Sequence, residues 1–437
     1  MRITLVKPPE NSKLNFGTFS LAVLAAAVRD IAEVTIVDTT HFDIDAAVDH
    51  TLRTRPNIIG ITTMGLASVK PAFAFIKSLR TAYEGLLLAG GHGATMSPGL
   101  LLAAGADAVV CGEGEKTFKE ILQKGVSPRI KGLALLHKGK IVKTPPRELI
   151  NPLDVLPQPA YDLIESSDMV LLETSRGCPH ACTFCETSRF YHCVWRPRSP
   201  EVVARDVQQI TKEGATIIHL VDDNFTASPK RALRICELLQ KGDLPLFFFF
   251  SARTDDLLKI PELIPALARA HFLRAGIGIE TLEPELAHTI KKPILFEQHC
   301  HAVTAMKKVG ILVVASFILG LPGETEEMRE RCVDLAVKVG VDAAHFVPFQ
   351  PLPGTPLEKG DGLPEPWAVK AAAEATNQFR CHPVVLNRLL EASKETTVRG
   401  MLARAGLARQ VREHLLPPQK AAYVTKELNH IDPRLLR

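Results

Sequence analysis

The sequence predicts an α/β protein in three parts: a doubly wound parallel sheet, a partial (βα)6 barrel and a helical C-terminal region. Two rhythms and one interruption predict it. Short β-branched runs alternate with helical ones from residue 1 to about 141, and the alternation restarts after residue 165. Between them, 143–162 is rich in Pro with scattered acids, which favours extended backbone and marks a linker. The expected boundaries are 1–142, a linker at 143–165, then 166–356 and 357–437.

In the first part, 3–6, 34–37, 58–62, 86–90 and 108–111 read as five strands whose Val, Ile and Leu content suits a parallel sheet covered on both faces. Ligands of such sheets sit beyond the carboxyl ends of the strands. Those ends carry Lys7-Pro8-Pro9, Thr62-Thr63-Met64-Gly65, Gly90-Gly91-His92-Gly93 and Gly112-Glu113-Gly114-Glu115. In the second part, strands at 169–173, 217–221, 246–251, 272–279, 313–319 and 344–349 alternate with helical segments, six units where a closed barrel has eight. From about residue 366 the chain is strand-poor, with helical runs at 368–379, 384–405 and 409–415.

Composition narrows the function. Lys+Arg 52 against Asp+Glu 48 gives a net charge of +4 without long single-sign runs, so nucleic acid is not the expected partner. The longest apolar stretch, 21–28, is far short of the roughly 20 residues a membrane-spanning helix needs. Met1 leads directly into a strand-like run, without the charged and apolar regions of a signal sequence, so a cytoplasmic location is expected. Nine cysteines, three of them within eight positions, fit metal chemistry in a reducing compartment better than a disulfide framework.

Those three stand in Arg176-Gly177-Cys178-Pro179-His180-Ala181-Cys182-Thr183-Phe184-Cys185, a CxxxCxxC loop directly after the first barrel strand. Three thiolates on one short loop can ligate three irons of a cubane and leave the fourth iron open to a substrate or cofactor. A structural zinc site would need a fourth Cys or His at matched spacing, and neither His180 nor Cys193 completes one. Asp222 and Asp223 end the second barrel strand, where they read either as a helix cap with a first-turn acid or as ligand-facing carboxylates. Ser251-Ala252-Arg253 ends the third strand and Gly278-Ile279-Glu280 the fourth. A carboxylate at the end of an apolar strand needs a partner, so Glu280 faces either a ligand or Arg253.

At these residues the sequence resembles the radical S-adenosylmethionine enzymes, over roughly 169–356. The resemblance implies a 4Fe-4S cluster on Cys178, Cys182 and Cys185, whose open iron chelates S-adenosylmethionine. It implies that Asp222, Asp223, Ser251, Arg253 and Glu280 hold that cofactor, and that reductive cleavage yields a 5′-deoxyadenosyl radical. An electron donor of flavodoxin or ferredoxin type is implied with it.

The first part contains no GxGxxG after its first strand and no Walker loop, which removes the mechanical basis for dinucleotide or nucleoside-triphosphate binding. Its loops look like the Rossmann-like cobalamin-binding domain fused to many radical S-adenosylmethionine methyltransferases, over roughly 1–142. The resemblance implies that Pro8, Thr62, Thr63, Met64, Leu66, Gly90, Gly91, His92, Gly112 and Glu113 surround cobalamin. Glycines would admit the corrin close to the backbone, and threonine hydroxyls would bond its amides or phosphate. One departure matters. Families that donate a histidine to cobalt carry DxHxxG, whereas Asp38-Thr39-Thr40-His41-Phe42-Asp43 has its His one position late and no Gly following. The expectation is therefore cobalt without a protein imidazole, above the loop 62–67, with Met64 and Leu66 as apolar neighbours. Methylthiotransferases also precede their barrel with an α/β domain, but bring three further cysteines in it, and here the first cysteine is Cys111.

The implied activity is methyl transfer from methylcobalamin to an unactivated carbon of a peptide, protein or small-molecule substrate. The domain plan is compatible with a protein side chain, such as the glutamine of methyl-coenzyme M reductase, and equally with a lipid or tetrapyrrole. Cyclisation or oxidative rearrangement with the same cofactors is the alternative within enzymes. A non-catalytic cobalamin or redox sensor is the alternative outside them.

Overall fold

Runs of Val, Ile and Leu become central strands where helices cover both sheet faces, and the first 167 residues follow that rule. The computed structural model describes all residues except 11–16, 166–167, 243, 361, 396–397, 414 and 430–437. They divide into two units, Met1–Ser167 and Asp168–Arg437.

In the first unit, β1 (Arg2–Lys7), β2 (Glu33–Asp38), β3 (Ile58–Thr62), β4 (Leu86–Gly90) and β5 (Ala108–Val110) are parallel, in the order β2-β1-β3-β4-β5. Alternate residues feed two cores. Val6, Ile59, Ile61 and Leu87 pack with Phe75 and Leu79 on one face, and Ile3, Leu5, Ile58 and Leu88 with Leu21 and Phe118 on the other. The strand order reverses between β1 and β3, which makes their carboxyl ends a topological switch point and the natural place for a ligand.

Sequence reading missed β6 (Leu133–His137) and β7 (Lys140–Lys143), an antiparallel hairpin on the β5 edge. Its turn is built from Lys138 and Gly139, both at positive φ, the geometry that matches strand twist. All of β7 is exposed, and its lysines guard the open edge. The expected linker packs against this unit. Ile150, Leu153 and Ala160 are buried, the Ala160 amide donates to the Ala22 carbonyl at 3.0 Å, and Arg29 pairs with Asp162. Apolar residues spaced among the prolines give this extended segment something to bury.

The second unit contains β8 (Met169–Leu172), β9 (Ser175–Arg176), β10 (Arg196–Pro197), β11 (Ile217–Leu220), β12 (Phe247–Ala252), β13 (Phe272–Glu280), β14 (Leu312–Leu319) and β15 (Ala343–Pro348). Six of them form one parallel sheet, β8-β11-β12-β13-β14-β15, and β9 and β10 form a short antiparallel ladder beside the cysteine loop. On the helix-covered side, Phe225, Phe248, Phe250 and Phe272 cluster with ring centroids 4.8–6.0 Å apart, Phe272 stacked on both Phe225 and Phe248, and Phe250 meeting Phe225 and Phe272 edge-on. The opposite, inner face carries His219, Phe249, Ser251, Arg274, Gly276, Gly278, Ser316 and His345.

Four helices follow, Pro366–Cys381, Pro383–Ser393, Val398–Arg412 and Pro418–Asn429. The first covers the outer face of β15, where Phe379 meets Phe346 at 6.2 Å. The expected single run at 384–405 is two helices. Arg404 caps the end of the earlier one by donating to the carbonyls of Ser393 and Glu395. Among the described residues no helix is long and apolar enough to cross a membrane.

Candidate active site

Backbone strain and buried carboxylates shape the cysteine loop. Gly177 sits at φ +80, and a Cβ there would collide with the Val194 carbonyl and the Tyr191 side chain. Asp222 is neither a helix cap nor open. Its buried carboxylate accepts from the Thr174 amide at 2.7 Å, the Thr174 hydroxyl at 2.6 Å and the Ser175 hydroxyl at 2.5 Å, which clasps the entry to the loop. Arg231 donates to the Thr174 and Arg198 carbonyls, which flank the paired strands β9 and β10. Asp223 accepts from the Gly177 amide at 3.1 Å. Its side chain is open to solvent yet crowded by protein, and desolvation, followed by the charge of Asp222, pushes its carboxyl up to about 6. Thr183 ties the middle of the loop to the Ile290 and Thr289 carbonyls.

Cys182 is buried, and Cys178 and Cys185 are half-buried. Burial pushes the Cys178 thiol up to about 11, and the neighbouring sulfurs add to the rise. Burial also raises Cys182, but Lys292 and Arg253 oppose it, and Arg253 reaches its sulfur at 3.7 Å. Three crowded thiols with cations beside them form a soft donor set that metal cations would stabilise as thiolates, so the residues present fit an iron–sulfur cluster.

Arg253 is held by Asp255 through two hydrogen bonds of 3.0 and 2.9 Å, not by Glu280. Glu280 pairs with Lys292 at 3.0 Å and accepts from the Ser316 hydroxyl at 3.3 Å. Its backbone lies at φ +69, beside a register shift between β13 and β14, a strained position for a residue with a side chain. The ion pair lies where a Cβ on Gly278 would be, so glycine there makes the pair possible. Ser251 sits half-buried on the inner face, and its hydroxyl makes no hydrogen bond among the described residues.

Sequence reasoning missed Lys292 and Asp256. Asp256 is fully buried and accepts from Asn224 at 2.7 Å and Lys259 at 2.6 Å, with His180 of the cysteine loop 3.6 Å away. Burial alone would raise its carboxyl, but these donors outweigh it and hold it at about 2. Lys292 carries no local signal because it meets Glu280 only through the fold, whereas Asp256 has Lys259 three residues on and gains Asn224 and His180 only through the fold. Of the scattered cysteines, only Cys236 is fully buried, while Cys193, Cys300, Cys332 and Cys381 are half-buried.

The first unit presents its own cluster. Pro8 and Thr62 are buried at the ends of β1 and β3, and the Thr62 hydroxyl lies 3.3 Å from that of Ser20. Thr63 is committed internally, donating to the Gly90 carbonyl and accepting from the Ala94 amide at 2.6 Å. Gly91, at φ +99, gives the chain room for its own Thr63 backbone. Gly112, at φ +81, faces open space, as does Gly65. Met64 is 41% exposed, so it is not core filler, and Leu66 is half-buried. Gly90 and His92 are half-buried, and Glu113 accepts from the Ile150 amide at 2.6 Å. His41 is exposed after β2, one strand removed from the switch point. Open glycine loops and an exposed methionine at that edge suit a broad flat ligand such as a corrin.

Comparison with known proteins assigns a family to each of the two sheets. Residues 172–336 match the radical SAM superfamily and residues 10–122 the B12 binding domain. The protein named Uncharacterized methyltransferase PH0819, from Pyrococcus horikoshii, is 34% identical over 383 residues, covering 82% of each chain. The chain belongs to the cobalamin-dependent radical S-adenosylmethionine methyltransferase family. The family's cofactors are a 4Fe-4S cluster, S-adenosylmethionine and cobalamin, and its enzymes require an electron donor and a substrate. TsrM, a radical S-adenosylmethionine methyltransferase from Kitasatospora setae, shares the fold with a TM-score of 0.71 at 21% identity, covering 82% of this chain and 73% of that one. The anaerobic magnesium-protoporphyrin IX monomethyl ester cyclase of Rubrivivax gelatinosus is 29% identical over 332 residues, 70% of this chain and 59% of that protein. The α/β fold class, family and cofactors expected from sequence are thus borne out.

Proposed function

We propose that this radical S-adenosylmethionine methyltransferase moves a methyl group carried by cobalamin onto an unactivated carbon of its substrate. The observation that supports it best is the pairing of the clasped CxxxCxxC loop with a B12 binding domain in one chain. When bound, the cluster supplies the electron that cleaves S-adenosylmethionine and cobalamin carries the methyl group.

The chain's own residues orient and neutralise. Cys178, Cys182 and Cys185 are the ligands, and Arg253 and Lys292 offset negative charge at the sulfurs. Glu280, on its strained and buried strand end, is an acceptor for the S-adenosylmethionine amino group or a ribose hydroxyl, with Ser251 on the same inner surface and Asp223 at the Gly177 amide of the cysteine loop. Asp222 acts as a positioning residue, since among the described residues its hydrogen bonds come from the Thr174 amide and the Thr174 and Ser175 hydroxyls at the entry to the loop. In the first unit Pro8, Thr62, Met64, Leu66, Gly90, His92 and Gly112 form the cobalamin edge, while Thr63, Gly91 and Glu113 brace it. Nine free cysteines support a reducing, cytoplasmic setting, with a flavodoxin or ferredoxin as donor.

Product counting tests the reading. Reduced holoenzyme acting on its substrate should form S-adenosylhomocysteine and 5′-deoxyadenosine together. 5′-Deoxyadenosine without S-adenosylhomocysteine would instead favour cyclisation, the reaction named for the Rubrivivax relative.

A further inference from the structure

We propose that the lower inner face of the six-stranded sheet is an oxyanion subsite built on Arg274, which holds a carboxylate or phosphate group of a small-molecule substrate. The proposal rests on the methyl-transfer reading and names the substrate class it leaves open.

Strand register brings the parts together. His219 pairs with Phe249 and Phe249 with Arg274, so the three stand in one row across β11, β12 and β13. The guanidinium lies 5.3 Å from the centre of the Phe249 ring, and the His219 ring lies 6.1 Å from it. Arg274 is half-buried, and among the described residues its side chain makes no hydrogen bond or ion pair. Burial lowers its pKa, with no carboxylate acting against that. Taking a guanidinium partly out of water without an anion is costly, so a missing anionic partner is the simplest completion of the site. Its fork of N–H donors matches the two oxygens of a carboxylate or phosphate.

The surroundings keep negative charge out and leave a way in. His219 is held down to about 4 by burial and by Arg274, and His345, exposed at the sheet edge yet partly desolvated by the protein around it, is also lowered, by that desolvation and by Arg274, Arg380 and Arg409, so both rings are neutral donors or acceptors near neutral pH. His345 and Val347, on the inner face of the terminal strand β15, are exposed, so solvent reaches this surface. Above Arg274 the next inner position of β13 is Gly276, where a Cβ would meet only the Ser251 hydroxyl and the Phe250 carbonyl at 3.5 and 3.6 Å, so the face stays open up to Gly278, which the Glu280–Lys292 pair covers. The six steps from Arg274 to Glu280 span roughly 20 Å of strand. A substrate seated there has its charged group several bonds from the carbon that reacts.

The test titrates reconstituted holoenzyme with inorganic phosphate and, separately, acetate, by calorimetry. Saturable binding of either one is expected, and the tighter probe identifies the group. Arg274→Met should weaken it at least 10-fold, and Arg274→Lys should retain part of the affinity, with iron and cobalamin content unchanged in both. If the Met variant loses its cofactors, ring-nitrogen resonances of His219 and His345 in the wild-type protein decide, because bound anion must shift them. No saturable binding, equal affinity in Arg274→Met, or unmoved histidine resonances would overturn the proposal. None of these readouts needs turnover, so their failure leaves methyl transfer standing, whereas missing S-adenosylhomocysteine with anion bound would remove only the methyl-transfer reading.

Discussion

The cysteine loop of the second unit and the strand ends of the first are both carboxyl edges of parallel sheets, yet they are stiffened by opposite means. Around the cysteines, charged side chains do the work: Asp222 takes three hydrogen bonds, Glu280 meets Lys292, and Asp256 gathers Asn224 and Lys259. At the first sheet the loops are braced mainly by neutral groups, as Thr63 joins Gly90 to Ala94 and Thr95 joins Gly91 to Gly112, with the Lys7–Glu10 pair at the end of β1 and Glu113 on the Ile150 amide as the charged exceptions. A small charged anchor needs fixed charges, whereas a broad, largely neutral ring needs clearance. Substitution should therefore be severe at the first edge described and mild at the second.

The largest expected effect is at the ligands. Replacing any one of Cys178, Cys182 or Cys185 with Ala should remove most of the cluster absorbance and all detectable 5′-deoxyadenosine formation, while bound cobalamin is retained. Wild-type iron content in such a variant would break the comparison.

Next is Lys292→Met, which strands a buried carboxylate and should cost about 3 kcal/mol. Trp195 and Trp367, the chain's two tryptophans, both lie in the second unit, so their fluorescence in urea follows that unit alone. An unshifted urea midpoint would show that the pair is solvent-relaxed.

Asp256 sharpens the contrast through pH. Its folded pKa of about 2 lies below the ordinary 3.8, so it contributes stability above about pH 4 that is lost as pH falls through 2. Asp256→Asn should be less stable than wild type by about 2 kcal/mol near neutral pH, and the gap should close with acidification. A gap independent of pH would assign the loss to packing.

These residues also mark what the sequence makes legible. The Cys loop and the strand-end glycines are readable because their chemistry is contained in a few consecutive positions. Glu280 was recognisable as a carboxylate in need of a partner, but the partner is Lys292, twelve positions on, while Arg253 turns to Asp255 two positions away. Pairings made by the fold leave no periodic trace. In the β6–β7 hairpin, β7 was missed for a different reason: an exposed four-residue edge strand has neither the length nor the apolar run that betrays a buried one, although β6 does carry a buried apolar run.

Smaller effects follow. Glu280→Gln keeps the shape but not the charge, and should weaken S-adenosylmethionine binding about 10-fold, near 1.4 kcal/mol, with cluster and cobalamin intact. Equal affinity in equilibrium binding would return Glu280 to a purely structural role. The smallest effect belongs to His41. His41→Ala should leave cobalamin affinity and the paramagnetic resonance of the cob(II) form unchanged, with no nitrogen splitting in either protein. A three-line splitting that disappears in the variant would place an imidazole on cobalt after all.

The two inner glycines of β13 have unequal freedom. A methyl group on Gly278 would occupy the place of the Glu280 carboxylate, but one on Gly276 would meet only Ser251 and the Phe250 carbonyl, at 3.5 and 3.6 Å, and Gly276 is not in the left-handed region. Gly276→Ala is therefore sterically allowed, and by restricting the unfolded chain it should add about 0.4–1 kcal/mol of stability. What it removes is volume above Arg274. Position 276 thus sets an exchange between robustness and the girth of acceptable substrates, and an engineer could narrow the enzyme's range with a single methyl group.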